Sequence, residues 1–203
     1  MQKGVKMEKP LKKYEYNIIT QLHNLFLQDA GCTFLGWSND LALALQVRFH
    51  EECLQIVQPK YVLETGTHKA LYSYLLKINL PNVMVHTFGI DEESQKCVDF
   101  LNNHFKEDFI TFHLGDSKDI LSRFITSIPF DLAWVDGDHF YEGAYLDLVN
   151  CARLNISHIL IDDVNSPSVE HALDRFLEEY PQYQLKKQSP FERKITWLEK
   201  VAT

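Results

Sequence analysis

The sequence predicts an α/β fold: a seven-stranded, mostly parallel sheet with helices on both faces and an antiparallel strand pair at its carboxyl end. Two observations carry this. Five short apolar runs alternate with helix-like segments through residues 61–180, a pattern that builds right-handed crossovers and a sheet covered on both sides. The last two strand-like segments, 183–187 and 194–198, are joined by residues 188–193, a link too short for a helical crossover, so they must pair antiparallel.

Residues 1–40 read as an arm and helix ahead of the main domain, which spans 41–203. Lys3, Lys6, Lys9, Lys12 and Lys13 give a solvated basic start with no assigned function. Ile18, Leu22, Leu25 and Phe26 are spaced as one buried stripe of a helix over 14–28. The loop 31–39 follows, and Ser38-Asn39-Asp40 caps a helix over 41–57 that Pro59 ends. The apolar runs are 61–63, 83–90, 109–114, 132–135 and 158–161. Helices are expected at 71–80, 93–105, 117–127, 141–154 and 168–180.

A chain of 203 residues with 45% hydrophobic and 24% charged residues suits one folded core. The net charge of -8 argues against a surface that tracks nucleic-acid phosphates. Cys32, Cys53, Cys97 and Cys151 form no metal-binding spacing and read as reduced, buried thiols. No apolar run approaches the ~20 residues that span a bilayer, and the start lacks a signal-peptide core, so a cytoplasmic protein with no membrane partner is expected.

Ligands of open parallel sheets bind beyond the carboxyl ends of the strands, where strand order reverses. All five runs end there in an acid: Glu64 with Gly66, Asp91, Asp116, Asp136, and Asp162 with Asp163. Gly66, in Glu64-Thr65-Gly66-Thr67-His68, allows backbone to approach a ligand. His68 and Ala70 stand where a dinucleotide fingerprint would carry further glycines, which counts against a nicotinamide cofactor. Asp91 is placed to accept from two ribose hydroxyls. Asp116-Ser117 suits either an adenine amino group or a helix N-cap.

The densest group is Asp136-Gly137-Asp138-His139 with Asp162-Asp163. Four converging carboxylates repel one another and are relieved by a divalent cation, and oxygen ligands without cysteine favour Mg²⁺, with Mn²⁺ or Ca²⁺ as substitutes. The competing reading is that Asp138 and Asp163 only cap helices.

With these motifs the chain resembles the class I S-adenosylmethionine-dependent methyltransferases, and so implies their Rossmann-like methyltransferase fold. Residues 62–67 are similar to the family's first motif, Gly89-Ile90-Asp91 to its ribose-binding acid, and Gly115-Asp116-Ser117 to its adenine-side motif. Residues 130–143 are the most specific match, and the resemblance covers 41–198. It implies S-adenosylmethionine contacts at Glu64, Gly66, Thr67, His68, Asp91, Asp116, Ser117 and Asp136. Metal-dependent O-methyltransferases are similar at the fourth and fifth strand ends, which implies Mg²⁺ ligands at Asp136, Asp162 and Asp163 and a proton acceptor at Asp138 or His139. The implied reaction is O-methylation of a small hydroxylated acceptor; residues 31–40 stand where such folds shape the acceptor pocket, and Phe34 and Trp37 either wall it or, the more common use of such side chains, pin the loop to the core. So short a chain leaves a homodimer as a way to complete the pocket. Two other readings stay open: a catalytically silent binding protein with this fold, and a nicotinamide oxidoreductase.

Overall fold

The structure is a computed structural model that describes residues 40–190 and 194–201. The arm and helix expected before residue 40, with Cys32, Phe34 and Trp37, lie outside the described residues.

Helix α1 (Asp40–Val57) leads into β1 (Tyr61–Thr65), followed by α2 (Leu71–Asn79), β2 (Met84–Gly89), α3 (Glu92–Phe105) and β3 (Ile110–Leu114). Next come the single turn α4 (Ser117–Ile120), a 3₁₀ turn (Leu121–Arg123), β4 (Leu132–Val135), α5 (Tyr141–Arg153), β5 (His158–Ile161) and α6 (Pro167–Glu179). The antiparallel strands β6 (Tyr183–Gln188) and β7 (Thr196–Lys200) finish the described chain. The strand order is β3-β2-β1-β4-β5-β7-β6, parallel from β3 to β5. β7 runs against both β5 and β6.

Alternation along the strands sends their side chains to two cores. Val62, Val85, Leu132 and Trp134 pack with Phe49, Leu54, Leu76 and Leu101 of α1, α2 and α3. Leu63, Ala133, Ile159 and Ile161 face the other way, onto Leu148, Cys151, Leu173 and Phe176 of α5 and α6. Both faces are covered, which is why the runs are apolar throughout rather than alternating. Cys53, Cys97 and Cys151 are buried, as expected. Asp131 fastens the lower end of the central pair by accepting from Lys60 N at 2.8 Å and Tyr61 N at 2.9 Å.

One element departs from expectation. The helix expected over 117–127 stops at Arg123. Arg153 of α5 donates to the Leu121 and Phe124 carbonyls, and Leu121 O closes only a 3₁₀ turn, accepting from Phe124 N at 3.0 Å. The β-branched pair Ile125-Thr126 and then Pro129 favour extended chain beyond it.

Candidate functional site

The sheet reverses its order between β1 and β4, so the crevice at their carboxyl ends is the expected ligand site. The ends of β1, β4 and β5 are knitted together: Asp136 N donates to Thr65 O at 3.1 Å and Asp162 N to Val135 O at 3.0 Å. Gly66 leaves β1 at φ +86°, and a Cβ there would lie 1.9 Å from Asp136 O, so only glycine fits. Gly66 N and Thr67 N both donate to Phe88 O, at 3.0 and 3.2 Å. His68 (φ 42°) and Ala70 (φ 55°) hold the left-handed backbone that glycine would adopt freely. The turn therefore keeps a glycine-type shape without the glycines. Thr67 Oγ1 pins it to Thr87 Oγ1 at 2.7 Å, and His68 projects outward, exposed.

Glu64 does not open onto this crevice. It is buried under α2, where Ser73 Oγ donates to its Oε2 at 2.7 Å. Burial pushes its carboxyl up to about 7, against the opposing pull of the Ser73 and Thr87 hydroxyls.

Asp91 is exposed at the end of β2 and caps α3, with Oδ1 accepting from Ser94 N at 2.8 Å. Beside it Ile90 is 73% and Leu114 59% exposed. Two apolar side chains standing open at adjacent strand ends offer a surface for a flat ring, a feature that sequence reasoning missed because strand pairing brings them together. Asp116 caps α4 through Lys118 N at 3.0 Å, and Ser117 is buried.

Past β4 the acids separate into two groups. Asp138 Oδ1 accepts from Phe140 N at 3.0 Å and Oδ2 from Lys118 Nζ at 2.9 Å, while Lys118 Nζ also lies 3.4 Å from Asp116. Partial burial pushes the Asp138 carboxyl up, but Lys118, the Phe140 N–H and His139 outweigh it and hold the group below the usual aspartate range. A carboxylate so held is a poor proton acceptor, which weakens the general-base role expected for Asp138.

The second group is Asp136, His139 and Asp163. His139 Nδ1 lies 3.2 Å from Asp163 Oδ2, and its Nε2 lies 4.0 Å from Asp136 Oδ1. One ligand atom from each of the three falls within 4.8 Å of the others, close enough for one metal ion. Asp162, expected as a ligand, is not in this group. It is buried, and its Oδ1 accepts from Asp163 N at 2.8 Å. Asp163 itself has φ 52°, a turn that aspartate tolerates.

Lys118 and Asp147 went unread in the sequence. Asp147 did leave a signal: it is an acid on the inward stripe of α5, beside Gly143, Ala144, Leu148, Asn150 and Cys151.

This edge suits an adenosyl ligand: a left-handed cradle after β1, an acid with two open apolar neighbours after β2, and a carboxylate–imidazole group after β4 and β5. Residues 63–164, half of the chain, match the family described as a methyltransferase domain. The chain belongs to that family, and it has the class I S-adenosylmethionine-dependent methyltransferase fold. No curated protein sequence matches it. Among solved structures it resembles the O-methyltransferase TomG of Streptomyces achromogenes, determined in complex with SAM, at 17% identity and a TM-score of 0.66, covering 97% of this chain and 93% of that one. The O-methyltransferase from Bacillus cereus, in complex with SAH, is similar at 17% identity and TM-score 0.61, with 97% and 94% covered. The SAH-bound methyltransferase PaMTH1 of Podospora anserina gives 14%, 0.66, 98% and 100%. No helix among the described residues is long and apolar enough to cross a membrane.

Proposed function

We propose that the chain is an S-adenosylmethionine-dependent O-methyltransferase that methylates a hydroxyl of a small acceptor with the help of a divalent cation such as Mg²⁺. The observation that carries this is the convergence of Asp136, His139 and Asp163 on one side of the cradle formed by Gly66, His68 and Ala70.

When bound, the cofactor supplies a methyl group on a sulfonium, and its sulfur is left as a neutral thioether. Asp136 and Asp163 would hold a divalent cation, whose charge would lower the acceptor hydroxyl's pKa. Two carboxylates with remaining water fit Mg²⁺, which keeps much of its hydration. His139, whose Nδ1 lies 3.2 Å from Asp163 Oδ2, receives the hydroxyl proton at Nε2. Asp138 and Lys118 brace the loop rather than exchange protons. Asp91 accepts from the ribose hydroxyls, Ile90 and Leu114 flank the adenine, and Gly66 with Thr67 lines the approach.

A second reading dispenses with the metal. The 3.2 Å contact between His139 and Asp163 is by itself a carboxylate-oriented base. Chelation separates the two. Methyl transfer to a panel of hydroxylated acceptors is expected to be lost in EDTA and restored by Mg²⁺ or Mn²⁺. Full activity in EDTA would leave the metal-free reading standing. On either reading His139→Ala is expected to lower kcat by roughly 10²–10⁴-fold, the usual size of a general-base contribution. An unaffected His139→Ala would remove both.

A further inference from the structure

Beneath the crevice lies a carboxylate that nothing balances. Asp147 of α5 is fully buried, and among the described residues neither of its oxygens has a hydrogen-bond partner. Thr65 Oγ1, at the end of β1, is also buried and has no partner among the described residues. A Cβ built on Gly137 would lie 3.0 Å from Asp147 Oδ2 and 3.3 Å from Thr65 Oγ1, so the two meet directly under the turn that follows β4. The Ser117 and Thr65 hydroxyls face the carboxylate without closing a hydrogen bond of good geometry. Three elements thus aim polar atoms at one spot below the point where strand order reverses.

The other acids at this edge have company. Asp116 and Asp138 share Lys118, Asp163 faces His139, Asp91 caps α3, and Glu64 takes the Ser73 hydroxyl. The charged groups that act on Asp147 are the Asp116 and Asp138 carboxylates, both already paired with Lys118. Burial first, and then the Asp116 and Asp138 carboxylates, push it up to about 6 against the pull of the two hydroxyls, so it is ionised at pH 8. An unpaired carboxylate is among the costliest side chains to bury, and leucine or asparagine would fill the same place. A cation arriving in the crevice would remove that cost.

The geometry points to Asp147 as the residue that makes this crevice prefer a cationic cofactor, binding S-adenosylmethionine more tightly than S-adenosylhomocysteine. This rests on the methyltransferase reading above. In the transfer the S–CH₃ bond breaks with its electron pair going to sulfur. The O–CH₃ bond forms, and the hydroxyl proton passes to His139. The sulfur thereby loses its positive charge while Asp147 keeps its negative one, so the attraction disappears as the product forms and the spent cofactor leaves more readily.

The test is calorimetry at pH 8 on the full chain and on Asp147→Asn, titrating each with S-adenosylmethionine and with S-adenosylhomocysteine. Asparagine keeps the shape and removes the charge. The variant is expected to bind S-adenosylmethionine on the order of tenfold more weakly, the effect of one unit charge across a poorly screened gap. Its affinity for S-adenosylhomocysteine is expected to be unchanged within about twofold, since a neutral sulfur feels little of that charge. Without ligand it is expected to melt above the wild type, because an unbalanced buried charge is gone. Equal weakening of both ligands, no weakening of either, a lower melting temperature or failure to fold would each overturn the inference. So would a wild-type melting temperature that rises in KCl or NaCl relative to choline chloride and does so only with Asp147 present, which would assign the site to a metal cation. If the wild type binds neither adenosyl compound, the methyltransferase reading itself fails, and that outcome needs no variant.

Discussion

At the scale of single residues, the turn after β1 shows how a site can keep its shape while its sequence motif is altered. His68 and Ala70 occupy positions where glycine would be unstrained, yet both hold positive φ in a turn anchored ahead of them by the Phe88 carbonyl and the Thr67–Thr87 contact and closed by Ala70 N, which donates to Thr67 O at 2.6 Å. Gly66 is different, since its Cβ would collide with the Asp136 carbonyl. Chemical denaturation is expected to show Gly66→Ala destabilised by roughly 3 kcal/mol or more, from left-handed strain plus overpacking. His68→Gly, exposed and strained, is expected to gain about 1 kcal/mol. A neutral Gly66→Ala would mean the turn is looser than it looks. Gly66, Asp91 and the Asp136–His139 run were legible in the sequence because each directly follows an apolar run. The pairing of Lys118 with Asp138, the burial of Glu64 and the exclusion of Asp162 from the metal group were not. Each depends on which face of a strand end a side chain takes and on what another element brings to it.

At the scale of elements, acids at strand ends have two duties that can be separated. Asp91 caps α3 through one oxygen and, on the proposed function, binds ribose hydroxyls through the other. Asparagine is as good an N-cap as aspartate, whereas alanine forfeits about 1 kcal/mol. Asp91→Asn is therefore expected to melt like the wild type but bind S-adenosylmethionine more weakly, while Asp91→Ala is expected to lose both stability and affinity. Undiminished affinity in Asp91→Asn would remove the ribose role. The central strands Tyr61–Thr65, Leu132–Val135 and His158–Ile161 were foreseen well because burial on both faces leaves short apolar runs, and the antiparallel pair Tyr183–Gln188 and Thr196–Lys200 because the link between its strands is too short for a crossover. The helix expected over 117–127 stops early where Ile125-Thr126 and Pro129 favour extended chain and where Arg153, 32 and 29 residues further along, donates to the Leu121 and Phe124 carbonyls. No local propensity encodes that contact.

At the scale of the whole molecule, buried acids tie stability to pH. Glu64 is raised from 4.5 to about 7 in the fold, so the native state holds a proton that the unfolded chain has released between those values. Its contribution is full below about 4.5 and is lost as pH rises through about 7. The amide introduced by Glu64→Gln does not titrate. The stability of Glu64→Gln relative to wild type is expected to climb across that window, and a constant difference would show that Glu64 is not buried as described. The same scale holds the central claim, that the carboxyl edge of β1, β2 and β4 is the cofactor site of a methyltransferase. Hydrogen–deuterium exchange on the full chain, with and without saturating S-adenosylmethionine, tests it most directly. New protection is expected in peptides covering residues 64–71, 89–95, 115–118 and 135–139, with little change in β6 and β7. Absence of protection, or protection concentrated at the opposite edge of the sheet, would contradict it.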